Sequence, residues 1–362
     1  MNRIILTVTN DLNYDQRMHR ICGSLFNAGY DVWLVGRKMR GSVPVIKRNF
    51  RQKRLHCFFS RSFLFYAEYN LRLFCFLLFA PKAILCAIDL DTILPVYFTS
   101  VLRKTKRVYD AHELFTEQKE VVSRKRIHAF WLAVERFAVP RFPKGYTVNA
   151  MLAGIFRERY GVVYAVIPNY PLLTDAAAPD RQHREPCFIY QGAVNEGRCF
   201  ETLIPAMKQV PAGLLICGTG NFLAQAMELV KLHGLEEKIR FGGNRLPGDL
   251  PELTAQAYAG ITLFEAAGLN QYYSLSNRFF DYIMAGIPQL CVNYPLYKAI
   301  NDQYDIMYPI NNTDSESIAN GLNKLLNDHA LYKRLREHCQ LAREGLNWLK
   351  VAPKLISFYQ QL

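Results

Sequence analysis

The 362-residue chain is longer than one ordinary domain, and its 50% hydrophobic content suffices for two cores of normal size, so two domains are expected. No apolar run reaches the roughly 18 residues of a membrane span, and the start MNRIILTVTND lacks a long apolar h-region and cleavage site. A mature chain beginning at Met1 in the cytoplasm is therefore expected. The formal charge of +13 is one-sided: residues 1–165 carry 27 Lys and Arg against 12 Asp and Glu, leaving 17 against 19 for the remainder. Such a half attracts an anionic membrane or a nucleic acid, or is merely a soluble basic surface.

Short β-branched or apolar runs alternate with helical patterns throughout, which predicts an α/β fold with parallel, doubly wound sheets. The first run, RIILTVT, leads into TNDLNYDQRMHR, which sets Asn10, Asp11, Asp15 and Arg17 after a strand. After DVWLVG comes a basic and aromatic stretch, residues 48–79, which fits a membrane-surface segment or an ordinary buried helix with a charged entry loop. AILCAI then ends in IDLDT, with Asp89 and Asp91, and KRVYDAH places Asp110, His112 and Glu113 at another strand end. An imidazole there bonds a sugar hydroxyl or stabilises developing charge, unless the segment is simply a capped helix start. The carboxylates of these loops follow no standard metal spacing, and no metal is expected.

Periodicity stops at residues 168–187, PNYPLLTDAAAPDRQHREPC, which reads as a linker. The resulting division is an N-terminal domain over 1–168, a linker over 169–186, a C-terminal domain over 187–345, and a last amphipathic helix over 346–362 that packs back on the first domain. Active sites of open α/β sheets lie beyond the carboxyl ends of the strands, so the two domains are expected to face an interdomain cleft.

In the second half, YQGAVNEGRCFETLI has Gly192 and Gly197 flanking a turn and Arg198 entering a helix, an anion grip or a plain βα loop. CGTGN, with Gly218, is a backbone nest or a structural turn. Between the strands AGITLFE and PQLCVN lies SLSNRFFDYIMAGIP, Ser274 to Pro288. Phe280, Ile283 and Met284 form its buried stripe, Gly286 its C′ residue and Pro288 its stop. Ser276 is the expected N-cap, which puts Asn277 and Arg278 in a first turn suited to a phosphate. Asp281 is expected on the same outward face as Asn277 and Arg278, taking hydrogen bonds from a ribose diol or forming half of a surface Arg–Asp pair.

Nine cysteines without a CxxC pair suit buried thiols in a reducing compartment. Walker A, protein-kinase, GxSxG and HExxH motifs are absent, as is the GxGxxG turn of a dehydrogenase, and no helix-turn-helix or RNP pattern supports nucleic-acid binding.

Taken together and in this order, NDLNYDQRMHRICGSLFNAGYDVWLVGR, IDLDTILP, DAHE, YTVN, YQGAVNEGR, ICGTG and SLSNRFFDYIMAGIP resemble the retaining GT-B glycosyltransferases, specifically bacterial members of glycosyltransferase family 4, over nearly the whole chain. The resemblance implies a GT-B fold of two Rossmann-like domains. It implies sugar transfer from a nucleotide-diphosphate sugar, a UDP- or GDP-sugar, to a carbohydrate or lipid-linked acceptor, with retention, without a metal or resident cofactor, in surface polysaccharide synthesis. His112, Arg198 and Arg278 take the catalytic roles; Gly192, Gly218, Glu265, Ser276, Asn277 and Asp281 hold the donor; Asn10, Asp11, Asp15, Arg17, Asp91 and Glu113 lie on the acceptor side. Eight positions before Asp281 the family's donor-sugar glutamate is replaced by Tyr273, so Glu265 or backbone groups of the loop 266–276 are expected to serve instead. Peripheral attachment to an anionic inner membrane face follows from the basic half, and a non-catalytic nucleotide-sugar-binding or assembly protein is the alternative.

Overall fold

The computed structural model describes residues 2–39, 41–59, 62–173, 185–245, 248–266 and 268–362. The chain divides into two compact units, one of residues 1–169 with 349–362 and one of residues 170–348.

The first unit is built on a parallel sheet of β1 (Arg3–Thr7), β2 (Asp31–Lys38), β3 (Arg51–His56), β4 (Ile84–Ile88), β5 (Arg107–Ala111), β6 (Gly145–Thr147) and β7 (Ala165–Val166), in the order β3-β2-β1-β4-β5-β6-β7. Strands β1 and β4 are apolar on both faces because helices cover both, as parallel sheets require. β3, with the sequence RQKRLH, carries too much charge to be read as a strand; it is an edge strand, where charged side chains reach water and block further pairing. The basic and aromatic stretch resolves into β3 followed by the helix Ser62–Phe79. Phe65, Tyr69, Leu73 and Leu77 of that helix are buried, and Phe63, Leu64, Leu71 and Phe79 are exposed. Among the described residues no helix is long and apolar enough to cross a membrane.

The second unit repeats the plan with β8 (Cys187–Gln191), β9 (Gly213–Cys217), β10 (Ile239–Gly243), β11 (Gly260–Thr262), β12 (Gln289–Val292) and β13 (Tyr308–Ile310), all parallel, in the order β10-β9-β8-β11-β12-β13. Its core joins Phe188, Tyr190, Leu214, Ile216, Ile261 and Leu290 of the strands to Phe280, Ile283 and Met284 of the covering helix.

The boundaries differ from the sequence reading at both ends. Tyr170 already packs on Phe280, ring centroids 4.9 Å apart, and the Trp348 amide donates to the Pro171 carbonyl, so the segment after Asn169 belongs to the second unit. Of the expected linker, residues 174–184 lie outside the described residues. The helix Trp348–Gln360 joins the first unit from Leu349 onward, where Tyr359 packs edge-on against Tyr146 and Tyr30. All nine thiols are free.

Candidate functional site

Each sheet reverses its winding between its first and fourth strands, β1 and β4 in one unit, β8 and β11 in the other. Crevices at the carboxyl ends of such strands are where open α/β sheets bind ligands. In the second unit the loop after β8 lies directly on the loop after β9. The Gly192 amide donates to the Cys217 carbonyl, the Val194 amide to the Thr219 carbonyl, and Asn195 and Asn221 cross-link the two loops through their side chains. A Cβ on Gly218 (φ 153°) would stand 1.8 Å from the Gly192 carbonyl oxygen, so backbone meets backbone there and only glycine fits. Gly218, expected against the donor, is buried and has a packing reason instead; Gly192, at φ 126°, is exposed.

Arg278 is the main correction to the sequence reading. It does not lie on a solvent face: it is 7% exposed, and its guanidinium sits 4.1 Å from the Tyr190 ring centroid and 5.0 Å from that of Phe264. Arg198 stacks on the same Phe264 ring at 4.5 Å, so one aromatic side chain orients both cations. Arg278 Nη1 is buried with no hydrogen-bond partner among the described residues, and the guanidinium lies 3.7 Å from where a Gly192 Cβ would be. A buried, permanently charged donor without a partner is costly unless a ligand completes it.

The helix Asn277–Met284 is positioned at both ends. At its start Ser276 is the N-cap by backbone geometry, though its side chain makes no capping bond; its amide donates instead to Tyr297 Oη at 2.9 Å. Asn277 is exposed in the first turn. At its end the Gly286 amide donates to Ile283 and the Ile287 amide to Tyr282, a Schellman closure around Gly286 at φ 66°. Asp281 Oδ2 accepts from Gln191 Nε2 at 2.9 Å, and Gln191 Oε1 accepts from Thr254 Oγ1 at 2.7 Å. This partly buried relay fixes the carboxylate beside the last residue of β8, and sequence reading missed it because Gln191, Thr254 and Asp281 come from three distant segments. Glu265, three residues past the end of β11, donates its amide to the Gly197 carbonyl, and its carboxylate stands 3.6 Å from where a Gly197 Cβ would be. Tyr273 packs edge-on against Tyr272.

In the first unit, Asp89, Asp91, His112 and Glu113 gather beyond β4 and β5. His112 Nε2 lies 3.0 Å from Asp89 Oδ2, while His112 Nδ1 and Asp89 Oδ1 are buried without hydrogen-bond partners among the described residues. Asp89 is held at φ 55°, ψ 177°, a conformation that costs a non-glycine residue on the order of 1–3 kcal/mol and tends to mark functional sites. Burial pushes the Asp89 carboxyl well above the ordinary range, and the charges of Glu113 and Asp91 add to this. Burial likewise raises Asp91 to about 7, against the hydrogen bond it accepts from Thr9. Chain spacing suggested no metal site, yet donor atoms of Asp89, His112 and Glu113 lie within 4.8 Å of one another.

The loop after β1 is mostly committed to structure. Arg17 makes a bidentate pair with Asp110, Nε–Oδ2 3.2 Å and Nη2–Oδ1 2.8 Å, both side chains buried. Asp11 pairs with Arg54 at 2.5 Å and accepts from the Asn13 amide and Ser42. Asp15 caps the helix Gln16–Asn27 through the Met18 amide and accepts from Asn10. Of these four expected acceptor-side residues only Asn10 is exposed.

Residues 174–341 match the family model described as Glycosyl transferases group 1. Solved structures share the fold over the full chain. Sucrose-phosphate synthase from Thermosynechococcus elongatus superposes with a TM-score of 0.80 at 17% identity, covering 100% of this chain and 99% of that one. HepE of Anabaena in complex with UDP-glucose gives 0.78 at 10% identity, covering 99% and 100%. WaaG, a glycosyltransferase involved in lipopolysaccharide biosynthesis, gives 0.72 at 14% identity, covering 98% of each chain. No curated protein matches the sequence. The chain has the GT-B fold, and the match to the glycosyl transferases group 1 model falls within its second unit.

Proposed function

We propose that the protein is a retaining glycosyltransferase of the family 4 type, moving a sugar from a UDP- or GDP-sugar to a carbohydrate or lipid-linked acceptor in surface polysaccharide synthesis. The observation that carries this is the buried guanidinium of Arg278, whose Nη1 has no hydrogen-bond partner among the described residues, beside the open backbone of Gly192, inside the segment that matches the glycosyl transferases group 1 model. A diphosphate supplies the missing acceptors, and Arg198, oriented on the same ring, supplies a second cation.

In the reaction the bond from the anomeric carbon to the diphosphate oxygen breaks and a bond to the acceptor oxygen forms on the same face. The acceptor proton passes to the departing diphosphate. Negative charge grows on that leaving group, and Arg278, Arg198 and the positive end of the helix Asn277–Met284 are pre-placed to receive it, so no metal is required. Asp281, held by Gln191, accepts from the ribose hydroxyls; Glu265 contacts the donor sugar beside Gly197; His112 Nδ1 bonds a sugar hydroxyl. HepE, a structural neighbour, binds UDP-glucose, which supports a UDP-sugar as the first donor to try.

A thermal-shift panel of nucleotide-sugars, followed by a transfer assay with the stabilising donor, tests the proposal. Arg278→Ala and Arg198→Ala are each expected to lower transfer by about 30- to 1,000-fold, the range for about 2–4 kcal/mol of lost charge stabilisation. Unchanged turnover in either purified variant removes that residue from the mechanism. Tyr273 in place of a donor-sugar carboxylate favours a second reading, a non-catalytic nucleotide-sugar-binding protein. Donor binding by calorimetry with neither hydrolysis nor transfer would establish that one.

A further inference from the structure

The segment that leads into the helix Asn277–Met284 is tied to the end of the preceding strand, β11, by side chains. The short helix Leu269–Tyr272 sets Tyr272 against Tyr294, ring centroids 5.0 Å apart, and Tyr294 Oη donates to the Phe264 carbonyl at 2.5 Å. The Ser274 hydroxyl donates to the Gln271 carbonyl at 3.3 Å and closes the segment behind it. These contacts bring Gln271 beside Glu265, to which nothing in the spacing of the sequence connects it.

Both side chains converge over Gly197. Gln271 Nε2 lies 3.5 Å, Glu265 Oε2 3.6 Å and Gln271 Oε1 3.9 Å from where a Gly197 Cβ would stand. Gly197 itself is fixed, at φ 78° with its carbonyl accepting from the Glu265 amide, and the next residue, Arg198, rests on Phe264. Gln271 Oε1 is buried with no hydrogen-bond partner among the described residues. A carboxamide oxygen left so is costly unless a ligand donates to it.

We infer that Gln271 is a specificity-determining residue which, with Glu265, reads hydroxyls of a neutral donor sugar and turns away a uronic acid; this rests on the nucleotide-sugar reading above. The Glu265 carboxylate only accepts hydrogen bonds, and the Gln271 oxygen waits for a donor, so the pair calls for a ligand that brings protons to both. Sugar hydroxyls do so. A uronate carboxylate in the same place has no proton to give to Gln271 and meets the like charge of Glu265, while Arg198 and Arg278 serve the diphosphate.

Calorimetry on the full chain with UDP, UDP-glucose, UDP-galactose and UDP-glucuronate, and with GDP, GDP-mannose and GDP-mannuronate, tests the assignment. The tightest neutral sugar nucleotide is expected to bind about tenfold or more tightly than the uronate of the same base. Gln271→Ala is expected to weaken that neutral donor about tenfold or more, leave the bare nucleoside diphosphate within about twofold, and cut the preference over the uronate to about threefold or less. Gln271→Arg, which sets a cation in the same place, is expected to reverse the preference. A preference unchanged in Gln271→Ala overturns the role of Gln271, and a parent protein that binds the uronate as tightly as the neutral donors overturns the sugar class. Failure of the parent to bind UDP, GDP and every sugar nucleotide defeats the donor reading itself, whereas binding of UDP or GDP with an unchanged preference in Gln271→Ala defeats the inference about Gln271 alone.

Discussion

At the scale of single residues, Arg278 and Asp91 show how neighbours distant in sequence decide what a charge does. Helical spacing put Arg278 on the outward face with Asp281, because charged side chains default to solvent. The faces of Tyr190 and Phe264 give it an interior place instead, and neither ring is within reach of helical periodicity from position 278. Asp91 was legible as a strand-end carboxylate, but its elevated pKa was not, since burial is a property of the assembled sheet. The consequence is measurable. With a folded pKa of about 7 against an unfolded value near 3.9, the folded state binds the extra proton between these limits, so Asp91 costs stability as pH rises through that window, by at most about 1.4 kcal/mol per pH unit. Asp89, shifted in the same direction, adds to the slope. Urea midpoints are therefore expected to show Asp91→Asn gaining on the parent protein from pH 5 to 7 and holding level above. A difference independent of pH would mean the carboxyl is already ionised when folded.

At the scale of elements, the helix Asn277–Met284 was readable almost in full, because its limits are set by local chemistry. The apolar stripe, the polar entry and Gly286 all sit within one short stretch, and the Schellman bonds at Gly286 follow from them. Gly286→Ala forces a side chain into the left-handed region at φ 66°, at a cost of about 1–2 kcal/mol, and its Cβ meets only the flexible end of Gln340. Chemical denaturation should show that loss, and a neutral result would mean the last turn rearranges freely. β3 was illegible for the opposite reason. Its six residues carry five polar or charged side chains that make sense only at a sheet edge, and edge position belongs to the topology, not to the segment. The partners of the first loop were equally out of reach: Arg17, Asp11 and Asp15 look like ligands in sequence, while their bonds to Asp110, Arg54 and the Met18 amide hold the loop and the following helix.

At the scale of the whole chain, the alternation of strands and helices made both sheets predictable. The uneven charge also belongs to this scale. The proposal of a peripheral membrane protein predicts co-sedimentation with anionic vesicles, much weaker with neutral ones and falling steeply as salt rises from 50 to about 300 mM. Binding indifferent to lipid charge would reject it. The closing helix adds one thing more. Because residues 349–362 complete the first unit, residues 170–348 form an uninterrupted insertion within it. On the ribosome every residue of the second unit has been made before the first unit receives Tyr359, the ring that packs against Tyr146 and Tyr30. Units that fold as they emerge are thus completed here in reverse of their order in the chain, and the half begun first is the last to be finished.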